Sequence, residues 1–208
     1  MDIAAAYYKM AKITLSSSSV RQGMDALLDY ILQVHPDNNW DRLRRLDYTG
    51  EGLALRQWLE SVLREEPPGS DVRAYWFGIF NPVIGEQASC AFYISGPTEN
   101  YTPQTQNWAC WTNETYLPEH RYAHSPVLAS LYQASQEVVG AGLLGEYVLC
   151  LGYVCLTVAE LIRSLEPHLF LGSTKQRSVV VGFDDGDDLL LGTIGSNGLF
   201  LAAPPVSV

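Results

Sequence analysis

A chain of 208 residues, 47% hydrophobic and 17% charged, is long enough for one large domain or two small ones and apolar enough for a sizeable core, which argues against a disordered protein or a disulfide-dependent scaffold. Its net charge of -10 argues against nucleic-acid binding, which needs clustered Lys and Arg to neutralise phosphates. Residues 1–73 carry eleven acids and nine bases, residues 74–162 seven acids and one base (Arg121), and residues 163–208 five acids and three bases, so the middle is one-signed. That pattern suits a basic protein partner, although acidic excess also serves solubility alone.

The start has an acid at position 2, no basic region and no uninterrupted apolar core, so it does not read as a secretory signal and a cytoplasmic location is expected. Residues 3–15 form an Ala-rich helix, which the serines at 16–19 break while offering a cap to the next. Over 20–34, Met24, Leu27, Leu28, Ile31 and Leu32 recur on one face of an amphipathic helix that Pro36 stops. A third helix spans about 50–65, with Leu55, Trp58, Leu59, Val62 and Leu63 at the same spacing before Pro67-Pro68-Gly69.

The period then changes. Residues 72–80 and 88–95 are β-branched and aromatic runs separated by Asn81-Pro82 and Gly85, a hairpin pattern. The first run is apolar on both alternating faces, as expected of a central strand covered by helices on one side and by something else on the other. Next comes the most distinctive stretch, 96–124, a long loop holding Trp108, Trp111, Tyr101, Tyr116 and Tyr122 among asparagines and prolines. Long connections in compact domains tend to be functional or disordered, and this aromatic content argues against disorder.

Beyond the loop, Ser125-Pro126 supplies a cap and a proline at the first helical position, with Val127, Leu128, Leu131 and Val138 as the apolar stripe. Residues 147–156 are a strand candidate, with a helix as the alternative, and Thr157-Val158-Ala159-Glu160 matches a capping box for a short helix to Leu165. No run reaches the roughly 18 apolar residues of a membrane span, 147–158 being too short, so no membrane association is expected. The C-terminus reads as a meander, 179–183 turning through Asp184-Asp185-Gly186-Asp187 into 189–194, and Asn197-Gly198 turning into 199–202. The expected fold is α+β in one domain, 1–208: N-terminal helices (1–66) packed on a mainly antiparallel sheet (71–203) with a C-terminal β-meander.

Catalytic patterns are weak. The Asp184–Asp188 turn lacks the D-x-D-x-D-G order of a calcium loop, and its Asp-Gly pair is what a tight hairpin requires. His120 and His124 have zinc-protease spacing, but the order is wrong and Pro118 and Pro126 bracket the segment, which suits a solvated loop. No serine lies in G-x-S-x-G, and 192–198 lacks the ending and following helix of a phosphate loop. The cysteines at 90, 110, 150 and 155 match no metal or redox spacing and read as buried reduced thiols. No cofactor, metal or catalytic residue is assigned.

The aromatic loop is therefore the best candidate site. Its tyrosines and tryptophans, rimmed by acids, have the composition of interfaces and sugar-binding surfaces, with core aromatics as the structural alternative. The partner-binding set is Glu99, Tyr101, Trp108, Trp111, Glu114, Tyr116, Glu119 and Tyr122. The leading expectation is a cytoplasmic interaction module, an acidic immunity or antitoxin-type inhibitor that occludes a basic protein such as a nuclease toxin. The alternatives are an enzyme or small-ligand binder with an aromatic-walled cleft for a sugar or cationic metabolite, and a structural subunit of a homo-oligomer.

Overall fold

The structure, a computed structural model, describes residues 2–84, 86–102, 114–184 and 186–205. Four helices come first: α1 (Ile3–Ser16), α2 (Val20–Val34), the short α3 (Asn39–Leu43) and α4 (Tyr48–Glu65). Side-chain caps set the starts of three. Asp2 accepts from the Ala5 N–H, Ser19 from Gln22 and Asp47 from Gly50, each satisfying one of the orphan donors of a first turn.

The strands follow: β1 (Ala74–Phe80), a two-residue pair β2 (Val83–Ile84) and β3 (Gln87–Ala88), then β4 (Ala91–Pro97), β5 (Glu114–Tyr116) and β6 (Tyr122–Ala123). Next come α5 (Pro126–Glu137), α6 (Gly142–Gly145), a π-helical turn Glu146–Leu151, α7 (Gly152–Ser164) and α8 (Pro167–Leu171). The chain closes with β7 (Gln176–Phe183), β8 (Asp188–Gly195) and β9 (Gly198–Leu201). The fold is α+β, with N-terminal helices and a C-terminal strand meander.

The main sheet has the order β5-β4-β1-β7-β8-β9, with β6 also on β4. Every pair is antiparallel except β1–β7, which the long crossover through β4 to α8 makes possible. Strand β1 is interior, as its double-sided apolar pattern implies. Tyr75, Phe77 and Ile79 face the helices with Phe92, Ile94, Val179, Val181 and Leu191 in the main core. Ala74, Trp76 and Val180 point the other way and form a second, small cluster.

Of the two readings of 147–156, the strand fails and the helix alternative holds. Residues 147–156 are helical, and α6, the π turn and α7 run on as one helix, Gly142–Ser164, of 23 residues. Thr157 lies inside it, not at a cap. The run is apolar all round because most of it is buried, packed against α1, α2 and α4, and a fully buried helix shows no amphipathic period. It is long and apolar enough to cross a bilayer by composition, contrary to the sequence reading. Gly152 within it is a packing device: a Cβ there would sit 2.6 Å from Leu27 Cδ1 of α2, and one on Gly23 of α2 would sit 2.3 Å from Leu156 Cδ2.

Candidate functional site

Away from the helices, the sheet carries an indole laid flat on glycines. Gly78 and Gly182 are register partners in the β1–β7 pair. A Cβ on Gly78 would come within 2.5 Å of Trp76 Nε1, and one on Gly182 within 2.5 Å of Trp76 Cη2. The two missing side chains are the bed on which the ring lies. Tyr93, Tyr101 and Leu190 pack against it, and Trp76 is 1% exposed. Its buried Nε1–H has no hydrogen-bond partner. It sits beside the Asp184 carboxylate, because the same Gly78 Cβ position is 2.6 Å from Asp184 Oδ1.

Asp184 opens the β7–β8 turn, and four tyrosines converge on that turn. Tyr93 of β4 donates to Asp184 Oδ1 at 2.9 Å, and Tyr101 donates to Asp188 Oδ1 at 2.9 Å. Tyr147, in the π-helical turn, donates to Asp187 Oδ2 at 2.8 Å, and Tyr7 of α1 donates to the Asp188 carbonyl at 2.6 Å. Phenol donation to a carboxylate is charge-assisted, so the Tyr93, Tyr101 and Tyr147 contacts orient the acids without neutralising them. None of the ion pairs among the described residues involves Asp187 or Asp188.

Burial raises the Asp188 carboxyl above its usual range; the Tyr101 hydrogen bond opposes this, and the Asp187 charge adds to it. Burial, with the nearby Asp188 charge, pushes the Tyr101 phenol far up, and burial does the same at Tyr7. Both phenols therefore remain donors at neutral pH. The cluster is negative, oriented and partly desolvated, a setting in which a guanidinium or ammonium group from outside would interact more strongly than in bulk water.

An aromatic step leads from this turn to solvent. Tyr93 meets Phe80 at 6.0 Å and Tyr122 at 5.8 Å, and Phe80 meets Tyr122 at 5.6 Å, an edge-on and tilted trio on the same face. Tyr122 is 53% exposed, and Arg121 stacks over its ring with Cζ 4.7 Å from the centroid.

The residues singled out in the sequence divide accordingly. Tyr101 and Tyr122 share the open face, and Tyr101 touches the acidic turn. Tyr116 does not join them: it is buried on the helix side, its ring 6.2 Å from Tyr75, so it belongs to the core. Glu119 is exposed elsewhere, its N–H donating to Glu66 at the end of α4, and Glu99 is exposed beyond the end of β4. Glu114 pairs through its backbone with Pro97 in the β4–β5 ladder. Trp108 and Trp111 lie outside the described residues.

Other motifs resolve into architecture. His120 lies in a turn next to β6, not on a helix. Cys90, Cys150 and Cys155 are buried free thiols. Glu51 accepts from Ser125 Oγ and Tyr153 OH, both at 2.5 Å, and from the Val127 N–H at 2.7 Å, which ties α4 to α5 and α7. No group of three His, Cys, Asp or Glu among the described residues converges as a metal site. Sequence reasoning read the aspartate turn only as a hairpin; its tyrosines lie 40 to 181 residues away, and nothing local marks them as its partners.

No family model, no curated protein and no solved structure matches this chain.

Proposed function

We propose that this protein is an interaction module that captures a basic protein in the cytoplasm, in the manner of an acidic immunity or antitoxin-type inhibitor. The observation that carries the reading is the acidic turn: Asp184, Asp187 and Asp188 gathered at one end of the sheet and oriented by tyrosine hydroxyls. Tyr122, Phe80 and Tyr93 extend the surface with rigid aromatic area suited to stacking on an arginine or lysine stem. In this mechanism the carboxylates steer encounter and the aromatic rings hold the complex, so salt slows association more than it speeds dissociation.

The test is capture from the native host's lysate at low and high salt, with wild type beside Asp187→Asn/Asp188→Asn and Tyr122→Ala. The expected result is one stoichiometric basic protein, released by salt, retained at least about tenfold less by each folded variant. Capture of nothing at low salt with toxin genes expressed, or capture indifferent to all these substitutions, would reject the proposal.

A further inference from the structure

The opposite end of the same sheet is basic. At the start of β1 and β7, a cavity of about 460 Å³ is lined by Arg73, Lys175 and Arg177, with Ser70, Asn100, Ser173, Thr174 and Ser178 supplying neutral donors. It lies roughly 23 Å from the acidic turn, counting seven residues of β7 at about 3.3 Å each from position 177 to 184. Three of the chain's thirteen Lys and Arg thus meet in one place, although they come from segments 100 residues apart.

Arg177 is the informative member. It is 1% exposed, and no carboxylate among the described residues pairs with it. Its Nε donates to Val72 O at 3.1 Å, Nη1 to Tyr75 OH at 2.9 Å and Phe170 O at 2.6 Å, and Nη2 to Gly69 O at 2.6 Å. Tyr75 also offers its ring, 5.6 Å from Cζ. A guanidinium has five N–H donors and does not deprotonate in proteins. One hydrogen, on Nη2, is therefore left over, and the full positive charge stays buried with only neutral partners. Such a charge normally needs a counter-charge. Arg73 and Lys175, both exposed at the same cavity and in no ion pair among the described residues, add to the imbalance.

We infer that this cavity binds a phosphate group carried by a small molecule or free in solution. The two exposed cations, Arg73 and Lys175, match a dianion, the buried Arg177 charge adds to their field, and a tetrahedral phosphate has acceptors enough for the Arg73 fork, the Lys175 ammonium and the surrounding hydroxyls, whereas a carboxylate has only two oxygens. The site is independent of the acidic turn and of the partner proposed for it.

The test is calorimetric titration of the full chain at fixed ionic strength with inorganic phosphate, with glycerol 3-phosphate and with acetate. Both phosphates should bind, and acetate at least about tenfold more weakly. Tighter binding of the ester identifies a phosphomonoester as the natural source, and equal binding identifies free phosphate; both support the site. Arg73→Gln and Lys175→Gln, which remove exposed groups and leave the fold intact, should each weaken phosphate binding about tenfold, while Asp187→Asn/Asp188→Asn should leave it unchanged. Absence of binding by both phosphates, acetate binding equally well, or wild-type affinity in Arg73→Gln and Lys175→Gln would overturn the inference.

Discussion

Gly182→Ala is the most direct probe of the open face. The new Cβ would lie 2.5 Å from Trp76 Cη2, 2.7 Å from Asp188 Cβ and 2.8 Å from Asp188 Cα. Non-bonded carbons prefer roughly 3.5 to 4.0 Å, so the indole edge must lift by about 1 Å and β8 must give by nearly as much. The second movement is costly because Gly182 and Asp188 are register partners in the β7–β8 ladder. Overpacking of this kind costs about 1 to 3 kcal/mol, and the backbone contact puts the expected loss in the upper part, about 2 to 3 kcal/mol. Gly52→Ala is the matched control. In α4 its Cβ would meet only Glu160 Oε1, at 4.0 Å, so it should stabilise by up to about 1 kcal/mol through helix propensity. Urea unfolding followed by far-UV circular dichroism and tryptophan fluorescence reads both. A Gly182→Ala protein within about 0.5 kcal/mol of wild type, or a Gly52→Ala protein equally destabilised, would refute the packing argument. The displaced Asp188 should also weaken partner capture at temperatures where the variant remains folded.

Other outcomes follow from the same contacts. Tyr101→Phe removes the donor to Asp188 and should cost about 1 to 2 kcal/mol in the same unfolding assay; an unchanged midpoint would mean the contact is not made in solution. Because the Asp188 carboxyl is raised in the folded state, its protonated form stabilises the fold below the unfolded value of about 3.9, and that contribution is lost as pH rises through the higher folded value. Asp188→Asn, which cannot ionise, should therefore gain stability relative to wild type as pH rises above the unfolded value of about 3.9, and parallel pH curves would contradict this. Gly192 has φ +154° at the β8 irregularity, and its Cβ would lie 2.1 Å from the Phe200 carbonyl oxygen, so Gly192→Ala should cost on the order of 3 kcal/mol or more, read as a lowered melting midpoint.

Charge in this protein is separated by strand direction. Strand β7 carries Arg177 near its start and leads into Asp184 after its end, and its parallel partner β1 follows Arg73. A parallel pair aligns starts with starts, so the bases of two distant segments gather at one end of the sheet while the aspartates of the β7–β8 turn collect at the other. An antiparallel β1–β7 pair would have mixed them.

Local signals account for much of the fold. The helices over 3–16, 20–34 and 48–65 were legible from apolar spacing and from stop signals, and Ser125-Pro126 marked the start of α5, because caps and amphipathic stripes act over a few residues. The double-sided apolar run of β1 likewise announced an interior strand. Where burial is complete the pattern disappears, so 147–156 read as either strand or helix and is part of the long central helix. The five-residue helices α3 and α8 are too short to show a period. The site was only partly visible. Composition marked Tyr101 and Tyr122, but it could not separate them from Tyr116, since one ring on the open face and one in the core have the same sequence signature. The tyrosine contacts to the aspartate turn and the convergence of Arg73, Lys175 and Arg177 depend on contacts between segments tens to more than a hundred residues apart. Sequence determined the helices and the strand periods because their causes are local, and tertiary packing alone decided which charges and rings meet.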